Sequence, residues 1–327
     1  MVSLAPYANV TLKKFLFLGY ITVLLILATG CTPKNPLPLG KNYSSSYTNV
    51  PFVSPRSQLC ASTAIQMVSM YWQAKMSYIL KLSGQELDGR TLIPAKGGTL
   101  QIELVAAARA NGLIAYPLEP TFEVLFSELS AHHPVIVLVN RSYSWYPLWH
   151  YVTVNGYDAD KRTMTIHFSD QPNEALSIET FAALWKRSDN WGVVLLPPGE
   201  LPVSISPKMF LRSAYEFEKI GMREEAIVTY KSALLRWPED LDILFALGTA
   251  YYYANHLAEA EQSYRKILLI QASHPLACNN LALLLCHTSR SDEAMQILEK
   301  AVTDDVEIQK IIKATQEEIG AGCRENK

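Results

Sequence analysis

EEAIVTYKSALLRWPEDLDILFALGTAYYYANHLAEAEQSYRKILLIQ, residues 224–271, carries the clearest structural signal in the chain, because it belongs to a pattern that repeats every 34 residues. Four columns of residues keep this spacing: Ala226, Ala260 and Ala294; Ala214, Gly248 and Ala282; Phe217, Tyr251 and Leu285; and Tyr230, Tyr264 and Leu298. Small residues allow two helices to cross closely, and bulky residues fill the space between the crossings. The pattern therefore predicts helical hairpins that stack on one another as an all-α solenoid.

A 34-residue period of this kind is typical of the tetratricopeptide repeat. We predict three repeats over residues 206–320, closed by a capping helix from about residue 306 to 319. The concave face of such a solenoid binds a peptide or a protein, so a protein partner is expected there. We interpret Cys278 and Cys286, which lie in one hairpin, as small core residues.

Composition and charge exclude several classes of protein. Hydrophobic residues make up 49% of the 327 residues, which excludes intrinsic disorder, and the length suits about two domains. The formal net charge of −2 argues against a nucleic-acid partner. The five cysteines are too few and too scattered for a disulfide scaffold, and without a C-x-x-C pair a zinc site is not expected. We therefore expect no metal and no cofactor.

The N-terminus has the features of an export signal. Two lysines at positions 13–14 precede the uncharged run FLFLGYITVLLILA, residues 15–28, which is too short for a comfortable membrane-spanning helix. The small residues Thr29 and Gly30 then precede Cys31, in an order that resembles the lipobox of bacterial lipoproteins. This resemblance implies that residues 1–31 are a lipoprotein signal peptide and that Cys31 is lipidated; the alternative is an uncleaved anchor with an incidental cysteine.

Beyond Cys31 the sequence predicts where the protein is attached and how. Residues 32–49 are rich in Pro, Ser and Asn and are interpreted as a tether. Thr32 stands where aspartate would signal retention in the inner membrane. We therefore expect a protein of the bacterial cell envelope, lipid-anchored at the periplasmic face of the outer membrane.

Residues 50–203 have the mixed pattern of an α+β domain. Amphipathic spacing predicts helices over about 60–74, 100–111 and 122–131. Runs rich in Val, Ile, Thr and Tyr predict strands over 134–139, 150–157, 163–168 and 192–196. Helices followed by an antiparallel sheet are typical of the α+β class.

A cysteine, a histidine and an acid occur in this domain in an order suited to nucleophilic catalysis. Cys60 lies at the predicted start of a helix, where backbone N–H groups and the helix dipole stabilise a thiolate. His150 opens a strand and could accept and return a proton, while Asp170 follows the next strand and could orient the imidazole. The alternative is that Cys60 and His150 are ordinary packing residues.

Five segments of this domain carry a family resemblance: VPFVSPRSQLCAST (50–63), GGTLQIELVAAARANGLIAYPL (97–118), HPVIVLVN (133–140), SWYPLWHYVTVNGYD (144–158) and WGVVLLPPGELP (191–202). They resemble the papain-fold cysteine peptidases related to the bacteriocin-processing (double-glycine) peptidases. The order of lipobox, this domain and repeats is similar to a bacterial lipoprotein branch with C-terminal tetratricopeptide repeats. The resemblance implies that Cys60 is the nucleophile, that His150 is the general base and acid, and that an acid or amide after the following strand orients His150.

The sequence departs from the family pattern at three places. Ala61 follows the nucleophile where the family commonly has glycine. The family glutamine that completes the oxyanion hole would fall at residues 54–56, and the nearest glutamine here is Gln58; we expect Gln58 and the Cys60 backbone N–H to hold the oxyanion. The third catalytic residue is expected to be Asp170, with Asn173 or Asp158 as alternatives, although Asp158 fits a turn better.

The remaining candidates receive structural interpretations. His132 and His133 precede a strand and lack carboxylates at ligand spacing, so we expect a loop pair and no metal site. We expect His167 to pack in the core or lie on the surface. Gly97-Gly98 is not followed by Lys-Ser/Thr and predicts no phosphate loop. The aromatic cluster just before His150 is interpreted either as ordinary packing or as a wall of the substrate cleft; its members are Tyr143, Trp145, Tyr146 and Trp149.

Three functions follow as hypotheses. The first is a membrane-anchored cysteine peptidase that cleaves a peptide or protein, with the repeats binding the substrate or a partner. The second is a catalytically silent, peptide-binding lipoprotein scaffold. The third is a cell-wall peptide amidase.

Overall fold

The computed structural model describes residues 43–54, 59–77, 81–93, 98–143, 145–168 and 171–323. The predicted signal peptide and most of the predicted tether lie outside these ranges. Residues 43–323 belong to one compact unit. Within the described ranges, no helix has both the length and the apolar character needed to cross a membrane.

A single antiparallel sheet forms the core of the first domain. Its strands in the described ranges are β1 (Ser46–Tyr47), β2 (Ile114–Pro117), β3 (Val135–Asn140), β4 (Trp149–Asp158), β5 (Thr163–Phe168), β6 (Gln171–Ser177) and β7 (Gly192–Leu196). Their order is β2-β7-β3-β4-β5-β6, and β1 pairs with the end of β4. The predicted strands are found, whereas β1, β2 and β6 were not predicted. Strand β1 falls within residues 32–49, so the sheet begins inside the segment interpreted as a tether.

The burial of each strand agrees with its position in the sheet. The residues of β3 (VIVLVN) and β7 (GVVLL) are all buried, as expected for strands covered on both faces. Strands β2 and β6 lie at the two ends of the order, and β6 (QPNEALS) is largely exposed. Strand β4 is therefore an inner strand, with β3 on one side and β5 on the other.

Helices α1 to α5 pack around this sheet, and their bounds are α1 (Cys60–Met76), α2 (Gly84–Thr91), α3 (Gln101–Ala110), α4 (Phe122–Ser130) and α5 (Ile178–Lys186). Helix α1 packs on β4 and is fixed to β7 because the indole N–H of Trp72 donates to the carbonyl oxygen of Leu195 at 2.8 Å. Three of the helices begin at a hydroxyl cap, at Ser83, Thr121 and Ser177. The start of α1 has no side-chain cap, which leaves its first N–H groups to other acceptors.

The second domain is the predicted helical solenoid. Its helices are α6 (Pro207–Glu218), α7 (Arg223–Arg236), α8 (Leu241–Tyr253), α9 (Leu257–Ile270), α10 (Pro275–His287), α11 (Ser291–Leu298) and α12 (Val306–Gly320). Consecutive helices pack on one another along the chain, and α12 packs on both α10 and α11. Three hairpins and a capping helix were predicted, and the structure contains them.

The cysteines of the solenoid differ in role. Cys278 is free and buried, as predicted. Cys286 is also buried, but it forms a disulfide with Cys323, with the two Cα atoms 5.6 Å apart. The prediction of a simple core role was therefore incomplete for Cys286. The reason is that α12 folds back on α10 and brings the two thiols together over a sequence separation of 37 residues.

A buried carboxylate connects the two domains. Glu128, on α4, is 1% exposed, and its Oε1 accepts the backbone N–H groups of Val203 and Ser204 at 2.7 and 3.3 Å. Its Oε2 contacts the Nδ1 of His133 at 2.7 Å. The sequence analysis noted no carboxylate at ligand spacing from His133, but the turn after α4 places its ring against Glu128. The pair holds the segment that leads into the repeats.

Candidate functional site

Cys60 lies at the uncapped start of α1. It is half-buried, and the backbone N–H groups of Tyr151, Cys60 and Ala61 act to lower the pKa of its thiol. Tyr151 lies in β4 and directly follows His150. The fold therefore brings the Cys60 thiol next to the strand residue that adjoins His150, although the two residues are 90 positions apart in the sequence.

Burial outweighs these N–H groups in setting the charge of Cys60. Desolvation raises the pKa of the Cys60 thiol, and the N–H groups of Tyr151, Cys60 and Ala61 only reduce that rise. The sequence predicted a stabilised thiolate from the helix start alone. The structure gives the opposite direction, because the α1 start is covered by β4 and solvent no longer reaches the sulfur freely.

His150 occupies the second position of β4, opposite Val139 of β3. Its ring lies edge-on to the ring of Phe168, with the centroids 5.3 Å apart. Burial lowers the pKa of His150, and the positive charge of Arg141 lowers the pKa further. The guanidinium carbon of Arg141 lies 4.1 Å from the centroid of the Phe168 ring.

The two pKa shifts act in the same sense. A raised thiol pKa keeps the proton on Cys60, and a lowered imidazole pKa keeps His150 without its second proton. Near neutral pH both residues are therefore uncharged in the unliganded chain. The resting site is a neutral thiol and imidazole, and the thiolate must form as the reaction proceeds.

Tyr151 is a candidate site residue that the sequence analysis missed. Its backbone N–H acts to lower the pKa of Cys60, and its hydroxyl donates to the carbonyl oxygen of Thr99 at 3.2 Å. Burial and the nearby Cys60 sulfur raise the pKa of the Tyr151 hydroxyl, so it stays a neutral donor. Its position directly after the candidate His150 was a usable signal, because the strand that holds His150 also packs on the helix that begins at Cys60.

Two of the predicted site residues in this domain, Gln58 and Asp170, lie outside the described residues, as does the predicted lipidation site Cys31. The two alternatives for the third catalytic residue are accounted for by other contacts. Asn173 accepts from Asn155 at 2.9 Å and from the Tyr47 hydroxyl at 3.2 Å. Asp158, at the opposite end of β4 from His150, accepts the N–H of Lys161 at 2.9 Å, which is the turn role expected for it. Asp170 therefore remains the prediction for the third residue.

The other histidines have structural contacts. His167 is buried, its Nε2 lies 2.8 Å from the carbonyl oxygen of Val50, and its Nδ1 accepts the N–H of Asn173 at 3.2 Å. Both ring nitrogens are thus engaged with the backbone, in agreement with a packing role. In the described ranges, no group of three or more His, Cys, Asp or Glu residues could hold a metal ion.

The loop between β3 and β4 carries the aromatic cluster, and we call its described residues, 141–143 and 145–149, the aromatic hairpin. Tyr143, Trp145 and Tyr146 are 67%, 79% and 69% exposed, which excludes ordinary packing as their role. The rings of Tyr143 and Trp145 stack, with centroids 5.5 Å apart and planes 14° from parallel. The cluster therefore has a defined arrangement while remaining open to solvent.

Two family models match the chain. Residues 47–192 match the Peptidase_C39 like family, and residues 241–274 match the tetratricopeptide repeat. The chain thus contains a C39-like peptidase domain followed by tetratricopeptide repeats, which confirms the resemblance for these two domains. The repeats suggest that the chain binds a protein or a peptide. No curated protein matches the chain.

Solved structures with similar features come from both classes. A C39-like protein from Bacillus anthracis is 15% identical with a TM-score of 0.39, and the alignment covers 47% of this chain and 98% of that one. The peptidase domain of Streptococcus ComA is 21% identical with a TM-score of 0.35, covering 48% and 99%. The Yersinia enterocolitica type III secretion translocator chaperone SycD is 17% identical with a TM-score of 0.33, covering 36% and 86%. Each alignment covers less than half of this chain.

Proposed function

We propose that this chain is a membrane-anchored cysteine peptidase that cleaves a peptide or protein through Cys60 and His150. The observation that carries the proposal is the position of the Cys60 thiol, at an uncapped helix start and against the backbone N–H that directly follows His150. The match of residues 47–192 to the C39-like family supports the same reading.

The neutral resting pair determines the first step. His150 takes the thiol proton as the Cys60 sulfur attacks the carbonyl carbon of the scissile amide, and the N–H groups around the sulfur favour the charge that develops. The Cys60 backbone N–H, with Gln58 as a further donor, is proposed to hold the oxyanion. Imidazolium then protonates the leaving amine as the C–N bond breaks and a thioester forms on Cys60.

Water completes the reaction. His150 removes a proton from a water molecule, whose oxygen attacks the thioester carbonyl. The C–S bond breaks, and imidazolium returns its proton to the sulfur while the peptide acid leaves. Asp170 is proposed to orient the imidazole throughout, since it follows the strand that lies beside His150.

Anchoring through a lipid on Cys31 is part of the proposal. The Cys286–Cys323 disulfide supports a location outside the cytoplasm, because disulfides persist in oxidising compartments. Metabolic labelling with a fatty-acid analogue should mark the protein, and Cys31→Ala should abolish the mark. Labelling that survives this substitution would contradict the anchor and leave the peptidase proposal unaffected.

The peptidase is tested with a library of quenched fluorescent peptides and with a peptidyl vinyl sulfone. We expect hydrolysis in the wild-type chain, loss of hydrolysis in Cys60→Ala and His150→Ala, and one vinyl sulfone adduct on Cys60. Cys278→Ala is the matched control, because Cys278 is the other free cysteine of the described ranges and should leave hydrolysis unchanged. Hydrolysis that persists in Cys60→Ala would refute the assignment.

A catalytically silent peptide-binding scaffold is the second candidate. The raised pKa of the Cys60 thiol favours it, because an unreactive thiol is what a binding module would retain. This candidate predicts peptide binding with neither hydrolysis nor a Cys60 adduct, so the same experiment separates the two.

A further inference from the structure

The aromatic hairpin is a built surface and not a loose loop. Asn140 is buried, and its Oδ1 accepts the backbone N–H groups of Ser142 and Leu148, both at 2.9 Å. Arg187 donates to the carbonyl oxygens of Asn140 and Ser142 at 3.0 and 2.8 Å. Within the loop, the N–H of Tyr146 donates to the carbonyl oxygen of Tyr143 at 3.1 Å. These bonds hold large aromatic rings in solvent, where they gain nothing from burial.

The hairpin is continuous with the candidate catalytic residues. Trp149, at its base, is exposed and directly precedes His150 in β4. A second connection runs through Arg141, which lies over Phe168, whose ring contacts that of His150. A molecule that covers the aromatic rings is therefore placed beside the imidazole.

Further exposed apolar side chains lie on the segment bonded to Tyr151. The Tyr151 hydroxyl donates to Thr99, and the next apolar residues, Leu100 and Ile102, are both exposed. The helix that begins at Cys60 packs on β4, and β4 holds both His150 and Tyr151. Exposed apolar side chains therefore occur on two segments connected to this strand, the aromatic hairpin and the segment after Thr99. Tyr, Trp and Arg are the residues that most often anchor a bound polypeptide.

We propose that the aromatic hairpin binds bulky apolar side chains of the polypeptide that the Cys60 site acts on. This inference rests on the proposed function and adds the chemical class of the substrate, which is a segment with apolar residues close to the cleaved bond. Residues 140–151 contain Arg141 and no acidic residue, so a substrate segment with basic residues fits less well.

A membrane surface is the other occupant that such aromatic residues could suit, and the geometry disfavours it. The described chain begins at Tyr43, whose ring packs on Tyr157 near the far end of β4, with centroids 6.4 Å apart. Tyr157 lies eight positions after Trp149 in β4, which corresponds to about 27 Å. The end of the chain that leads to the proposed anchor thus joins β4 at the end opposite the hairpin.

The test measures binding without requiring catalysis. The Cys60→Ala chain is titrated into two fluorescein-labelled nonapeptides, one with Phe and Leu at alternate positions and one with Ser at those positions, and anisotropy gives each affinity. We expect the apolar peptide to bind at least tenfold more tightly. Adding Tyr143→Ser, Trp145→Ser and Tyr146→Ser should remove this preference. The matched control adds Met70→Ser and Met76→Ser, two exposed apolar residues in the C-terminal half of α1, and should change the affinity less than twofold.

The outcomes separate this inference from the proposed function. An unchanged preference in the triple-serine variant would overturn the inference. So would hairpin-dependent binding to phosphatidylethanolamine/phosphatidylglycerol vesicles with no preference between the peptides, which would assign the surface to lipid. If the wild-type chain forms no Cys60 adduct but keeps hairpin-dependent peptide binding, the peptidase fails while the hairpin remains a polypeptide-binding surface.

Discussion

Reducing the Cys286–Cys323 disulfide tests how strongly the capping helix is attached to the last repeat. The bond joins the end of α10 to the residues that follow α12, so it ties the capping helix to the last repeat. A second contact acts at the same place, where the Nε2 of His287 lies 3.2 Å from the Oε1 of Glu318. We expect Cys323→Ser to loosen α12 and to lower the stability of the last hairpin most, because each repeat is supported only by its neighbours.

The size of the effect follows from the length of chain that the bond closes. With a separation of 37 residues, the chain-entropy relation gives about 4 kcal/mol at 25 °C. This value is an upper bound, since the unfolded solenoid keeps some residual structure and the rest of α12 packing remains. We therefore expect a loss of about 2–4 kcal/mol in the free energy of unfolding.

Urea denaturation followed by circular dichroism measures this loss. Dithiothreitol should lower the midpoint of the wild-type chain and leave that of Cys323→Ser unchanged, so the variant serves as the control for the reductant. Alkylation under denaturing conditions, mapped by mass spectrometry, should modify Cys60 and Cys278 before reduction, and Cys286 and Cys323 only after it. Alkylation of all four before reduction, or a wild-type midpoint that ignores the reductant, would refute the reasoning.

Three further predictions concern other parts of the chain. Replacing Glu128 by Ala should lower the free energy of unfolding by about 3–5 kcal/mol in urea, because its imidazole partner and two linker N–H groups lose their acceptor; a loss below 1 kcal/mol would contradict this. Gly248→Ala should lower the free energy of unfolding by about 1–3 kcal/mol, because the added Cβ would lie 2.8 Å from the Tyr264 ring. Gly89→Ala, where nothing lies within 4 Å of the added Cβ, should instead stabilise its helix, and equal shifts in the melting temperatures of the two variants would be inconsistent with this packing. Alkylation of Cys60 by iodoacetamide should rise with pH only above the range of an ordinary thiol, because its pKa is raised, and a rate that is already maximal at pH 6 would reverse that assignment.

The fold was predictable where a pattern repeats or alternates. The 34-residue period gave the solenoid, and the β-rich runs gave β3, β4, β5 and β7 nearly to their ends. Strand β6 was missed because QPNEALS is polar and largely exposed and has no strand pattern of its own. It is a strand because it forms backbone hydrogen bonds with β5. Strand β1 was missed for a similar reason, since its two residues gain their structure from β4 and not from their own pattern.

The order of Cys60 and His150 and the segments around them selected these two residues as candidates, and the structure packs the helix that begins at Cys60 on the strand that holds His150. The direction of their pKa shifts was not predictable. The direction of the Cys60 pKa depends on how much β4 covers the start of α1, and a sequence does not report coverage by a distant segment. The roles of the Tyr151 N–H and of Arg141 have the same origin, because both depend on which strand lies next to which.

The connection between the domains bears on how the repeats could help the proposed reaction. Besides the Glu128 contacts, Arg236 on α7 donates to the carbonyl oxygen of Pro202 at 2.6 Å, and Lys81 pairs with Glu225 on α7 at 2.6 Å. These contacts tie the first repeat to the C39-like domain at several points. A flexible linker would let a polypeptide bound by the repeats search a large volume before it met Cys60. When the repeats are held in place, a polypeptide bound to them lies at a fixed separation from the Cys60 thiol. Binding at the repeats then raises the effective concentration of the polypeptide at the thiol only if the polypeptide is long enough to span that separation. Shortening a bound substrate below this length should therefore abolish the increase in effective concentration abruptly. With a flexible connection between the domains, the increase would decline gradually as the substrate is shortened.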